Sequence, residues 1–245
     1  MTEHPDQVSR FYEQHPYPPP LNDLDRFVDD ALNVPARRFD HHLIWPFRPY
    51  RSDTSILVAG CGTSQAAKYA IRHPDARVTG IDVSPTSLAN SRGLADRHGL
   101  DNLELHQLPV EEAPSLCASF DHVVCTGVLH HLAAPDVGLR ALADVLEPDG
   151  ALTLMLYAPY GRAGVYLLQN YCRRLAIGTS PGEIDDLVAT LRELPMGHPL
   201  SHRLRNTPDF QHPDALADAL LHPRDRAYSV PEVYDFLDRA GLEFG

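Results

Sequence analysis

Residues 56–65 read ILVAGCGTSQ, and the next apolar run, VTGID, closes on Asp82. Ile56 to Ala59 form a short run suited to a buried strand, Gly60-Cys61-Gly62 a tight turn, and the residues from Thr63 onward (TSQAAKYAIRH) a helix start. A strand, a glycine turn and a helix start aim backbone N–H groups and the positive helix end at a ligand. Asp82 follows at the spacing at which an acid reaches the ribose hydroxyls of an adenosine cofactor. The pairing therefore predicts an adenosine-containing cofactor. A dinucleotide fingerprint wants a third glycine, where this chain has Gln65. That substitution argues against a dinucleotide oxidoreductase and for a cofactor without a pyrophosphate.

Five segments, ILVAGCGTS, VTGIDVSPTSL, NLELHQLPVEEAP, FDHVVCTGVLHHL and DVLEPDGALTLMLYAP, then run in one order and spacing. In these the chain resembles a class I S-adenosylmethionine-dependent methyltransferase from about Ser55 to Pro159. The resemblance implies that Gly60 and Gly62 lie under the methionine part of S-adenosylmethionine, that Asp82 binds both ribose hydroxyls and that Val83 packs on the adenine. It extends the cofactor-contacting set to Ala59, Cys61, Gln65, Leu108 and Thr126. The chain departs from the family at three places. The acid that commonly precedes the glycine turn is Val58, the Gly-Asp of the third motif is Leu108-Pro109, and the last glycine of GCGTG is Ser64.

Strands are expected at Ser55–Ala59, Arg77–Ile81, Leu103–His106, Asp121–Cys125 and Ala151–Tyr157. Helices fall between them at Ser64–Arg72, Pro85–His98 and Asp136–Leu146. Pro148-Asp149-Gly150 reads as a turn into the fifth strand. Alternation of this kind predicts an α/β, Rossmann-like, doubly wound and mostly parallel sheet. Four regions follow. Residues 1–51 form an extension, with a helix near Asp6–Gln14, the helix-forbidding HPYPPP at His15 to Pro20, and a second helix from Asn22 to about Asn33 stopped by Pro35; the resemblance makes this region a lid. Residues 52–160 form the cofactor-binding core. Residues 161–227 read as a helical cap insert (Gly164–Ala176, Gly182–Leu194, Pro213–Leu221), and 228–245 return to the core. There Ser229 and Glu232 have capping-box spacing and Gly241 is a stop signal. Leu242-Glu243-Phe244 has the composition to begin a strand. The family's last two strands are otherwise missing, so a longer polypeptide with a further C-terminal domain, or a homo-oligomer, is expected to complete the sheet.

The 245 residues carry 21 basic and 33 acidic side chains, a formal charge of −12, which disfavours nucleic-acid partners. No apolar run reaches membrane-spanning length, and Cys61, Cys117, Cys125 and Cys172 show no paired spacing. Reduced thiols in a cytoplasmic protein without a membrane partner are the expectation.

Methyl transfer needs positioning more than a protein nucleophile. In Val128 to Leu132 (VLHHL), beside the fourth strand's end, His130 is the candidate general base and His131 a candidate acceptor contact; helix capping or a backbone hydrogen bond is the alternative for either. Tyr12, Tyr17, Tyr160 and Arg162 are further candidates for the acceptor pocket, Arg162 through a carboxylate or phosphate. Tyr157 reads equally well as core. The 14 histidines show no ligand pattern such as HExxH, and no metal is expected. The preferred reading is methyl transfer to a small-molecule acceptor. A non-catalytic S-adenosylmethionine-binding module, a macromolecule methyltransferase and an oxidoreductase are its competitors.

Overall fold

The computed structural model describes residues 7–197, 206, 210 and 212–245. Its centre is a five-stranded parallel sheet of β1 (Ser55–Ala59), β2 (Arg77–Asp82), β3 (Leu103–Gln107), β4 (Phe120–Thr126) and β5 (Leu146–Met155), in the order β3-β2-β1-β4-β5. The central strands are apolar at successive positions because both faces are covered. Leu57, Ala59, Ile81, Val123 and Cys125 face one way, into a core with Leu139, Leu142 and Phe236. Ile56, Val58, Val78 and Val124 face the other way, against Ala66, Ala70 and Leu88. Strand order turns away in opposite directions from β1 and β4, so their carboxyl ends open a crevice of the kind that holds ligands in such sheets.

Helices α1 (Gln7–Gln14), α2 (Asp25–Leu32) and α3 (Val34–Ile44) precede the sheet. Helix α3 corrects the sequence reading, in which Pro35 only ended a helix. The Asn33 side chain accepts the Ala36 N–H at 3.1 Å, and Pro35 sits in the first turn, where its missing N–H costs nothing. Between the strands run α4 (Gln65–Arg72), α5 (Pro85–His98) and α6 (Pro135–Asp144), with short 3₁₀ turns at Val110–Leu116 and Leu129–His131. Pro148-Asp149-Gly150 does not open β5 but lies within it. The strand begins at Leu146, and the extra residues are taken up by a register shift opposite Phe120 and His122.

After β5 come α7 (Ala163–Arg174), α8 (Pro181–Arg192), α9 (Pro213–Leu221) and α10 (Val230–Arg239). Val165, Leu168, Ile184, Leu187, Leu216 and Leu220 build a second core, which Phe11 of α1 joins. Helix α1 also reaches the sheet, because Glu13 accepts the hydroxyls of Ser84 (2.7 Å) and Thr86 (2.9 Å). Helix α10 starts with the Ser229–Glu232 capping box. It stops at Gly241 (φ +72°), with Gly241 N–H on Asp238 O and Leu242 N–H on Leu237 O, both at 3.0 Å, which is a Schellman closure. Residues 242–244 form no strand, and Leu242 packs on the main core. No described helix is long and apolar enough to cross a membrane. Cys61, Cys125 and Cys172 are buried and Cys117 is exposed, all as free thiols.

Candidate active site

The carboxyl ends of β1, β2 and β4 meet at a cavity of about 460 Å³, a size that suits a cofactor-sized ligand. Its floor is the turn between β1 and α4. Gly60 (φ +66°) and Gly62 (φ +55°) occupy the left-handed region. A Cβ at Gly60 would stand 2.3 Å from Val128 Cγ2, and one at Gly62 would stand 2.9 Å from the Tyr17 carbonyl oxygen. The HPYPPP segment packs against one side of the turn, where the Pro18 carbonyl accepts the Thr63 hydroxyl at 2.7 Å, and Gly60, Cys61 and Gly62 still line the cavity.

Asp82 ends β2 on the cavity wall. Its Oδ2 accepts the Gly62 N–H at 2.7 Å and its Oδ1 the Ser84 N–H at 2.9 Å, so each oxygen keeps acceptor capacity for another donor. Burial raises its pKa against the lowering effect of these N–H groups. Val83, Leu108 and Val110 supply an apolar shelf beside it. Gln65 donates to the Thr126 hydroxyl at 2.6 Å, joining the helix start to the end of β4. Cys61 lies on the wall with its thiol pushed well up by burial and by Asp82, and so is inert. Ala59 is fully buried beneath the turn and is not on the wall.

Across the cavity stand Tyr12, Tyr17, His131, Tyr157 and Asp218. The Tyr12 hydroxyl donates to Asp218 Oδ1 at 3.0 Å, and burial with this carboxylate holds the phenol well above its usual pKa. His131 Nδ1 lies 2.5 Å from the Arg224 carbonyl oxygen, and burial lowers the pKa of its ring. Asp218 and His222 complete a cluster with His131 that the sequence reading missed. Asp218 carried a signal there: in PDALADALL it is an acid flanked by Leu216, Ala217, Ala219 and Leu220, all buried. His222, 91 positions from His131, carried none.

The candidate base and two expected acceptor residues stand elsewhere. His130 is 1% exposed, packs with its ring centroid 3.8 Å from that of Tyr157, and does not line the cavity. Both its ring nitrogens lack partners, and burial drives its pKa down to about 2, so it is not placed to act as a base near neutral pH. Arg162 is committed to Asp225 at 2.9 Å, with its guanidinium carbon 3.5 Å from the Tyr157 ring centre, which leaves it unavailable to an acceptor. Tyr160 is 94% exposed and does not line the cavity.

Residues 57–152 match the methyltransferase domain family. An uncharacterized protein of Synechococcus sp. is 32% identical over 97% of this chain and 58% of its own length. Trans-aconitate 2-methyltransferase of Deinococcus radiodurans is 34% identical over 57% of this chain and 50% of its own. The chain thus spans about half the length of these relatives. Among solved structures, PKMT2 from Rickettsia typhi shares the fold at a TM-score of 0.64 and 18% identity, over 86% of this chain and 42% of that one. The same protein has been solved in complex with AdoHcy, with a TM-score of 0.59. The motif order, the parallel sheet with its glycine turn and Asp82, and these matches agree: the core of this chain belongs to the class I S-adenosylmethionine-dependent methyltransferases.

Proposed function

We propose that the chain transfers a methyl group from S-adenosylmethionine to a small-molecule acceptor held between the glycine turn and the Tyr12–His131–Asp218 wall. One observation carries the reading: the turn, the Asp82 carboxylate and this polar wall face a single cavity. The residues present suit the cofactor. Asp82 retains a lone pair on each oxygen for the two ribose hydroxyls, Val83 and Leu108 offer an apolar face to the adenine, and Gly60 to Gly62 admit the methionine part without side-chain obstruction. The family's adenine-reading acid is replaced by Leu108-Pro109, so the adenine edge falls to backbone groups around Leu108 and Val110.

When bound, S-adenosylmethionine supplies a methyl carbon on a sulfonium, which is displaced in line as a neutral thioether. The protein's own part is placement and exclusion of water. Tyr12 and Tyr17 descend from the N-terminal segment, and Asp218 approaches from α9. A nucleophile set by them about 3–3.5 Å from the methyl carbon gains much of its rate from proximity alone. Tyr12, His131 and Asp218 offer the polar groups that face the acceptor's nucleophilic end.

The test is release of S-adenosylhomocysteine by purified protein across a metabolite panel and, in parallel, a macromolecular extract fraction. Turnover with a dialysable acceptor supports the reading. Turnover confined to the macromolecular fraction overturns the small-molecule assignment, and tight NADH binding without S-adenosylhomocysteine binding overturns methyl transfer altogether.

A further inference from the structure

His131, Asp218 and His222 come from three elements and meet beside the cavity. One ring nitrogen of each histidine and one carboxylate oxygen of Asp218 lie within 4.8 Å of one another, and all three residues are buried. The two imidazoles are held by a shared anchor. His131 Nδ1 and His222 Nδ1 each stand 2.5 Å from the Arg224 carbonyl oxygen. An N···O separation that short asks for a proton on the His131 Nδ1, while His222 Nδ1 also stands 3.1 Å from the Arg224 N–H, so the backbone of one residue holds both rings through their Nδ1 atoms. With Nδ1 turned to the backbone, Nε2 is the nitrogen each ring has left to offer. For His222 that atom is buried and has no partner, an arrangement that costs free energy unless something binds there.

Anchoring one ring nitrogen on the backbone is how proteins orient metal-ligating histidines, and ligating carboxylates are likewise held by a neighbour. Here that neighbour is Tyr12, whose hydroxyl donates to Asp218 Oδ1 at 3.0 Å. Arg162, one of the cations whose charge reaches both rings, is paired with Asp225 at 2.9 Å, which offsets its opposition to a second positive charge. Two imidazoles and one carboxylate suit a divalent transition ion such as zinc or iron(II), better than magnesium or calcium, which want oxygen ligands.

We infer that His131, Asp218 and His222 form a binding site for one divalent transition-metal ion at the acceptor end of the cavity. Spacings of 87 and 91 residues from His131 hide it from motif reading, which explains why the sequence predicts no metal. His131 and Asp218 also line the cavity, so the remaining coordination positions of the ion open towards the acceptor, where an acceptor oxygen is the natural further ligand. That role rests on the methyl-transfer reading; the metal site itself does not.

The probe is Co²⁺, added to untagged, chelator-treated protein and followed by visible d–d absorption, with S-adenosylhomocysteine affinity measured on the same samples. Saturation at one equivalent is expected. Affinity should fall by more than about 100-fold in His222→Ala and Asp218→Asn, and by about 10- to 100-fold in Tyr12→Phe, which removes only the hydroxyl behind the carboxylate. Thermal melts certify that each variant is folded. Absence of saturable binding in the wild type, or equal binding in the wild type and all three folded variants, overturns the site. Cobalt binding without S-adenosylhomocysteine binding retires the methyl-transfer reading while the metal site stands, and the reverse result retires the metal site alone.

Discussion

Replacing Asp82 tests the cofactor assignment through one carboxylate. Each oxygen already accepts one backbone N–H, from Gly62 at 2.7 Å and Ser84 at 2.9 Å, and each keeps a lone pair for one ribose hydroxyl. Hydrogen bonds to a charged acceptor contribute about 1.5–3 kcal/mol each. Water hydrates the carboxylate in the free protein and refills the space in Asp82→Ala, so the two bonds together come to about 2–4 kcal/mol. That is roughly 30- to 900-fold in Kd. The same substitution strips an acceptor from two loop N–H groups at about 1–3 kcal/mol each, so some loss of stability accompanies it. Asp82→Asn, which keeps one carbonyl oxygen in place, separates the two effects. The assay is calorimetric titration with S-adenosylhomocysteine at 25 °C, with a thermal melt of each variant. A folded Asp82→Ala protein that binds with the wild-type Kd refutes the assignment.

Gly60→Ala places a methyl 2.3 Å from Val128 Cγ2 at a positive φ, and should cost at least about 2 kcal/mol in urea unfolding together with most S-adenosylhomocysteine affinity. His130→Leu removes two buried unpartnered nitrogens at constant bulk, and should leave stability within about 1 kcal/mol of wild type or raise it. His131→Ala should lower turnover far more than cofactor affinity; a His130→Leu protein that loses turnover instead would return the base to position 130. Arg162→Ala leaves the Asp225 carboxylate, its side chain 4% exposed, with only the neutral donors Gln169 and Tyr166, and should cost about 3 kcal/mol of stability by urea titration, whereas no change would mean the pair carries little. His122, buried and bonded to the Thr153 hydroxyl at 2.8 Å, has its pKa lowered by burial to about 4. Its neutral form is favoured on folding, so its contribution is full above 6.5 and is lost as pH falls towards 4. Between pH 7.5 and 5.5 it removes about 1 kcal/mol of stability, and His122→Gln should flatten that part of the pH profile.

What the sequence made legible was whatever one short segment decides by itself. The apolar runs at 55–59 and 120–126 are buried on both faces, so they read as strands without any tertiary information. Asp82 follows from the strand that ends on it. The Ser229–Glu232 capping box and the Gly241 stop were local too. Tertiary competition decided the rest. Pro35 carries the same local signal whether it ends one helix or begins the next, and only the Asn33 side chain on Ala36 N–H distinguishes the two. In the 3₁₀ turn at Leu129–His131, adjacent histidines point roughly a third of a turn apart, so one faces the core and its neighbour the cavity. Nothing in HH says which. Arg162 looked like an anion hook because Asp225, 63 positions later, is invisible as its partner until the chain folds. The residues brought together at the acceptor wall, from α1, the Leu129–His131 turn and α9, share no motif.

The most direct measurement is a crystal structure of the protein with S-adenosylhomocysteine. Both ribose hydroxyls are expected on the Asp82 carboxylate, the homocysteine part over Gly60–Gly62, and the sulfur turned towards Tyr12, His131 and Asp218. A ligand bound elsewhere, or a cavity closed to it by the HPYPPP segment, would rule out Asp82 and the glycine turn as the cofactor site.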